Sequence, residues 1–294
     1  MNSSNSINSQ GIGKEEQAVY KLGWFSTARG KGSRGLLKAV QDSITAGDLK
    51  AKIKFVFCSR DPGEAGATDV TLQMVRDYGI PLVTYSYRKF KARLGLTKPD
   101  AAGVLPDWRL EYDREVMARL KNFHPDLCVL AGYMLVVGPE LCQKYNMINL
   151  HPAAPDGPKG TWQAVIWKLI ADGAKETGVM MHLVTPELDR GPVVTYCRFP
   201  IRGKAFDKYW ETIRGRSIEQ VQKEEGENNL LFKTIREHGY IREIPLLATT
   251  IKAFSEGKVK ITPDKKVIDS RGRLIEGYDL SREIDERVKG LLTI

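Results

Sequence analysis

The chain has 294 residues, 42% of them hydrophobic and 28% charged, enough apolar material for one large α/β domain or a domain with a small appendage. A formal charge of +9 favours small anionic partners, but the basic residues are scattered and form no block, which argues against nucleic acid. Four separated cysteines without a C-x-x-C pair read as buried free thiols of a reducing compartment, and no apolar run reaches the length of a membrane span.

Residues 1–18 are rich in Ser, Asn and Gly and lack an apolar h-region, so they are expected to form a flexible tail and not a signal peptide. The expected location is therefore the cytoplasm. Beyond the tail, short apolar runs alternate with helical patterns, the arrangement of a Rossmann-like, mostly parallel sheet with helices on both faces. Strands are predicted over 22–26, 53–58, 82–85, 126–131, 147–151, 179–184 and 193–197. Helices are predicted over 33–44, 68–78, 109–122 and 161–171. After Pro200 a charged helical stretch covers 206–240, a helix over 244–254 packs back on the sheet, and two or three short strands follow from Val259. These readings give a catalytic domain over 19–258 and a β-rich extension over 259–294 packed on it.

The loop after the first strand reads Ser26-Thr27-Ala28-Arg29-Gly30-Lys31-Gly32-Ser33-Arg34-Gly35. Glycines at a strand-to-helix turn expose backbone N–H groups, and the helix dipole adds positive charge, so the loop suits phosphate. An ordinary turn would use the same glycines. The position at a βα junction favours phosphate.

Met147-Ile148-Asn149-Leu150-His151-Pro152 is an apolar strand that carries two polar side chains two residues apart, hence on one face. Pro152 ends it, leaving His151 at the carboxyl end, where open parallel sheets bind ligands. A carboxamide and an imidazole aimed together suit a reaction that builds negative charge on an oxygen; a satisfied polar pair is the plainer alternative. Further on, Glu187-Leu188-Asp189-Arg190-Gly191-Pro192 sets a carboxylate on a rigid turn, where it can orient an imidazole and hold it protonated. Among the other histidines, His182 lies in an apolar strand and reads as a satisfied core residue. No His, Cys and carboxylate set has metal-ligand spacing, and no metal is expected.

These pieces, in this order, resemble the folate-dependent formyltransferase family, nearest its members that act on phosphoribosylglycinamide. The likeness runs from about residue 22 to about residue 277. Asn149-Leu150-His151-Pro152 is similar to the family's N-[IL]-H-P segment, and Glu187 to Pro192 to its E-L-D-x-G-P loop. Ala131-Gly132-Tyr133-Met134 is similar to its A-G-[FY]-M segment, and Arg109 to Glu115 to its R-x-x-Y-D-x-E helix start.

The resemblance implies formyl transfer from 10-formyltetrahydrofolate, a cosubstrate, to the amine of phosphoribosylglycinamide in purine synthesis. It implies Asn149, His151 and Asp189 as the catalytic set. Gly32, Ser33 and Arg34 would hold the phosphate, with Glu237 near the amine substrate. Arg109, Met134, Leu135, Val136, Val137, Thr185, Pro186, Glu187 and Leu188 would contact the folate. A homodimer is left open, as are transfer to a different phosphorylated amine and a catalytically silent module that binds phosphate or folate. The chain departs from the family's pattern at Arg34, usually Asn, at Leu135, often Arg, and at Trp162, often His. Ala153-Ala154-Pro155-Asp156 replaces Ser-Leu-Leu-Pro, and the stretch 204–231 is longer than usual.

Overall fold

A computed structural model describes residues 19–96, 98, 100 and 104–291; the expected tail over 1–18 lies outside them. The first half runs β1 (Tyr20–Ser26), α1 (Lys31–Thr45), β2 (Ala51–Cys58), α2 (Gly66–Asp77) and β3 (Leu82–Thr84), then α3 (Tyr87–Arg93) and α4 (Trp108–Arg119). The chain continues through β4 (Leu127–Leu130), α5 (Pro139–Lys144), β5 (Met147–His151) and α6 (Trp162–Ala171) into β6 (Glu176–Leu183) and β7 (Val193–Pro200). It ends with α7 (Asp207–Thr212), α8 (Ile218–Glu225), α9 (Leu230–Ser255), β8 (Val259–Ile261), β9 (Val267–Asp269), β10 (Tyr278–Asp279) and α10 (Ser281–Val288).

Eight strands form one sheet in the order β10-β7-β6-β5-β4-β1-β2-β3. The β5–β6 and β6–β7 pairs are antiparallel and the other neighbours parallel, as the sequence predicts for the fold. From β1 the chain winds outward through β2 to β3, and from β4 it winds the other way. The crevice beyond the carboxyl ends of β1 and β4 is thus the switch point, where sheets of this kind take ligands.

Burial on both faces explains the near-continuous apolar strands. Within β1, Trp24 joins the core made with Leu37, Val40, Ile148, Met181, Leu246 and Ile251 under α1 and α9. Its neighbour Phe25 joins the opposite core with Phe57, Tyr112, Val116, Leu141 and Met147 under α4 and α5. The longer 204–231 stretch supplies a third core: Phe206, Ile213, Val221 and Leu231, joined by Phe232, close over Val165, Ile166 and Trp167 of α6.

Two predicted elements differ. The helix placed over 244–254 is the second half of α9, which runs unbroken through Pro245. A proline there forfeits one backbone bond, and burial of Leu231, Phe232, Leu246, Leu247, Ile251 and Phe254 along the same helix offsets that loss. The third C-terminal strand at 273–275 is only an isolated bridge, Ile268 to Leu274. Instead β10 joins the main sheet beside β7, and α10 follows with only Ile284 and Val288 buried, too sparse an apolar pattern to read in advance.

Burial pushes the thiol of Cys58 up to about 11 and those of Cys142 and Cys197 up to about 12; with Cys128, all four are free and buried. None is a thiolate near neutral pH. Among the described residues, no helix is long and apolar enough to cross a membrane.

Candidate active site

Period-two alternation sets Asn149 and His151 on the face of Met147, with His151 at the carboxyl end of β5. The antiparallel partner strand places His182 directly opposite Asn149. His151 and His182 are each 3% exposed, and Asn149 is half-buried.

Asp189 completes the group from the loop between β6 and β7. Its Oδ2 is 4.0 Å from His151 Nδ1 and its Oδ1 is 3.5 Å from His182 Nε2. The residue is held at φ 53, a left-handed conformation that Asp and Asn adopt more readily than most side chains. Two residues on, a Cβ on Gly191 would stand 1.7 Å from the Leu183 carbonyl oxygen. No other residue type fits there, and that closeness folds the loop back against the end of β6.

Charge in this group is set by burial as much as by pairing. Burial pushes the His151 imidazole below the usual histidine range, with Asp189 pulling upward by less. The expectation that Asp189 holds His151 protonated therefore does not describe the free protein: at 4.0 Å the carboxylate is too distant to outweigh desolvation. Asp189 itself lies below the usual carboxylate range, chiefly through its hydrogen bond with His182.

His182, expected as a satisfied core residue, is buried and hydrogen-bonded, and it also faces the Asn149 and Asp189 side chains. Its Nδ1 donates to the Leu183 carbonyl at 3.0 Å, which leaves Nε2 between Asn149 Nδ2 at 3.5 Å and Asp189 Oδ1 at 3.5 Å. A neutral ring accepts from Asn149, and a charged one donates to Asp189.

The glycine loop shares the same sheet edge. Thr27 knits three loops together: its N–H donates to Gly132 O at 3.0 Å, and its hydroxyl accepts from Met134 N at 2.9 Å and from Ser59 Oγ at 3.0 Å. Gly132, at φ 65, lets the loop after β4 lie against Ser33, where an added Cβ would stand 2.8 Å from the serine Cβ. Gly30, Gly32 and Gly35 are different: a Cβ on any of them would meet nothing within 4 Å, and none is among the glycines with positive φ. The fold has no need of glycine at these three positions. They follow a G-x-G-x-x-G spacing at the start of α1, a helix with no side-chain cap and no acid in its first turn. Arg29 and Lys31 are exposed and Arg34 half-buried around them.

On the other side of the crevice, Met134 and Leu188 are exposed, 58% and 48%, on the loops after β4 and before Asp189. Leu135 packs on the core under α4, Val137 is buried, and the Val136 carbonyl accepts from Arg109 Nε at 2.9 Å. Arg109 is 1% exposed and paired with Asp113 at 2.6 Å, while Asp113 also accepts from Gly138 N at 2.7 Å. Its Nη1 is buried with no hydrogen-bond partner among the described residues. Thr185 donates to Glu187 O at 3.0 Å, and Pro186 and Glu187 are exposed. Glu237 is exposed on α9, beside Arg236, whose guanidinium lies 4.9 Å over the Trp162 ring at the start of α6. No distance ties Glu237 to the His151 group. Among the described residues, no cluster of three His, Cys, Asp or Glu side chains is placed to hold a metal ion.

Comparison with known proteins bears on this arrangement. The family profile described as formyl transferase matches residues 30–216. The chain belongs to the formyl transferase family. It is 28% identical over 174 residues to the phosphoribosylglycinamide formyltransferase of Escherichia coli K12, covering 58% of this chain and 70% of that one. The fold matches the phosphoribosylglycinamide formyltransferase structure from Coxiella burnetii with a TM-score of 0.60 at 20% identity, over 88% of this chain and 98% of that one. It also matches a formyltetrahydrofolate deformylase from Burkholderia mallei with a TM-score of 0.57 at 20% identity, over 86% of this chain and 70% of that one.

Proposed function

We propose that this enzyme transfers the formyl group of 10-formyltetrahydrofolate to the amine of phosphoribosylglycinamide, as a cytoplasmic step of purine synthesis. The observation that carries the reading is Asp189 set 4.0 Å from His151, on the strand that also carries Asn149, at the sheet edge that carries the glycine loop as well. The phosphate sits on the N-terminus of α1, held by Gly32, Ser33 and Arg34, and the folate lies along Met134 to Val137 and Thr185 to Leu188. Arg109, with its free Nη1, offers a buried donor to that cosubstrate.

The amine nitrogen attacks the formyl carbon, forming a C–N bond and a tetrahedral centre with an oxyanion and a cationic nitrogen. Asn149 donates an amide N–H to the oxyanion, and His151 donates a ring N–H; losing one such donor costs about 2.7–4 kcal/mol of barrier. Burial holds the imidazole of His151 below the usual histidine range in the free protein, so the developing oxyanion, not Asp189 alone, favours its protonation. Asp189, ionised in the free protein, takes up the proton that the attacking nitrogen loses and passes it on to the folate nitrogen as that group leaves. The bond to the folate nitrogen then breaks, and that nitrogen recovers a proton. Fixing the acceptor by its phosphate contributes proximity as well.

The test is an assay of formyl transfer to phosphoribosylglycinamide, run beside an acceptor-free assay for released formate. Transfer with negligible formate supports the reading. Formate release that phosphoribosylglycinamide does not suppress would assign the site to hydrolysis, the activity named for the Burkholderia protein.

A further inference from the structure

The loop that follows β1 and the loop that follows β4 carry the two halves of the proposed reaction, and they are joined by buried hydrogen bonds. Strand pairing between β1 and β4 ends at Phe25 opposite Leu130. Beyond it side chains take over: Ser26 Oγ donates to Ala131 O at 2.8 Å, and Met134 N donates to Thr27 Oγ1 at 2.9 Å. Between them Thr27 N donates to Gly132 O at 3.0 Å. Ser26 and Thr27 are both buried. Thr27 Oγ1 also accepts from the buried Ser59 Oγ at 3.0 Å, which fixes the hydroxyl from the loop after β2.

These contacts reach the residues assigned to each ligand. Ser33 lies against Gly132, so closely that a Cβ on the glycine would stand 2.8 Å from the serine Cβ. On the other side, Met134 gives its N–H to Thr27 and turns its side chain outward, while Tyr133 before it packs edge-on to Phe25 in the core. Gly30, Gly32 and Gly35 pack against nothing, and the N-terminus of α1 has no side-chain cap, so the glycine loop is free to settle when an anion docks. Where Ser33 meets Gly132 there is no such slack, and settling of the first loop bears on the second.

A ligand that orders one of two joined segments spares the other ligand part of that ordering, and the effect is reciprocal. We propose that Thr27 is a positioning residue that couples the two substrate sites. Buried, it touches neither ligand. With an anion on the glycine loop, its bonds hold Gly132 and Met134 where the folate needs them, so each ligand tightens the binding of the other. The inference rests on the phosphate and folate readings of these loops and adds a linkage between them.

The experiment uses inorganic phosphate and 5-formyltetrahydrofolate, a stable isomer of the donor, on the wild type, Thr27→Val, Thr27→Ser and Arg34→Ala. Phosphate occupies the glycine loop without reaching the folate, so its effect on folate passes through the protein. Isothermal titration gives the dissociation constant of each ligand with and without a saturating amount of the other, and thermal unfolding monitors the fold. In the wild type each ligand is expected to lower the other's dissociation constant by the same factor, about fivefold or more. Thr27→Val keeps the shape and removes the acceptor for Met134 N, which brings that factor to about one while each ligand alone still binds. Thr27→Ser, which keeps the hydroxyl, restores it.

Equal factors in the wild type and Thr27→Val overturn the inference, as does a wild type that binds the two ligands independently. Weaker binding of both ligands to Thr27→Val with the factor retained marks a purely structural role and overturns it as well. Should Thr27→Val not fold, Thr27→Ala, which leaves room for a water beside Met134 N, decides by the same criteria. If Arg34→Ala weakens phosphate binding and the wild type shows no coupling, the loop reading stands and only the role of Thr27 falls. Phosphate affinity unchanged by Arg34→Ala, or no binding of 5-formyltetrahydrofolate, overturns the reading of that loop and the inference with it.

Discussion

Glycine means opposite things in the two loops that flank the crevice. At Gly191 a side chain would run into the Leu183 carbonyl at 1.7 Å, so the chain itself excludes every other residue. At Gly30, Gly32 and Gly35 a side chain would meet nothing, so the chain tolerates any residue and only a ligand approaching the backbone has use for bareness. The first loop holds a side chain, Asp189, in place by being crowded. The second holds backbone N–H groups available by being empty. Stability and function should therefore separate cleanly between them.

The largest expected effect breaks the crowded loop. Gly191→Ala should cost several kcal/mol, on the scale of the worst single substitutions, because backbone and not a flexible side chain stands in the way. Urea denaturation checks it, and a loss under about 1 kcal/mol would mean the loop opens easily. Next comes a change that keeps the loop and removes its charge. Asn accepts the left-handed conformation of Asp189, so Asp189→Asn should fold normally and bind folate while transfer falls by about a hundredfold or more. Single-turnover kinetics at saturating substrates reads this directly.

How much of this was legible beforehand follows the same division. Asn149 and His151 stood out because a period of two and a terminal proline are local facts, and β5 lies where they put it. The strand alternation likewise gave the parallel sheet, since burial on both faces leaves an unmistakable apolar run. His182 was not legible, because its role depends on β6 pairing antiparallel to β5 in the register that sets it opposite Asn149. The protonation of His151 was misjudged for a related reason: sequence shows that a carboxylate exists but not that it stops 4.0 Å away while burial is nearly complete. α9 was cut in two at Pro245 because proline is a local signal and the packing that overrides it is not.

Acid distinguishes the two loops in another way. His151 on the crowded side is held below the usual histidine value by burial, and His238, on α9 against the Phe206 ring, is pushed down to about 4 by burial and Arg242. A lowered folded-state value means the unfolded chain binds the proton more readily, so stability should fall as pH drops from about 6.5 toward the lowered folded values. Each such histidine contributes up to about 1.4 kcal/mol per pH unit within its window. Asp189 adds its own loss only lower, as pH falls through its depressed folded value. Denaturation curves of His238→Phe should show a shallower decline between pH 6.5 and 4 than the wild type. An unchanged slope would mean that His238 is protonated in the folded protein.

The smallest effect is the most discriminating, because its two halves have opposite signs. Gly32 lies in the first turn of α1, where alanine is the better helix former by up to about 1 kcal/mol and where its methyl group meets no neighbour. Gly32→Ala should therefore leave the free protein as stable as the wild type or slightly more so. The same methyl group stands where a phosphate would approach the N–H groups, so KM for phosphoribosylglycinamide should rise roughly tenfold, a binding loss of about 1.4 kcal/mol. A glycine kept for the fold would lose stability on substitution, and a glycine kept for nothing would lose neither. Gain in stability with loss of affinity is the outcome that an emptied loop awaiting an anion requires, and thermal unfolding and steady-state kinetics on a single variant test both halves.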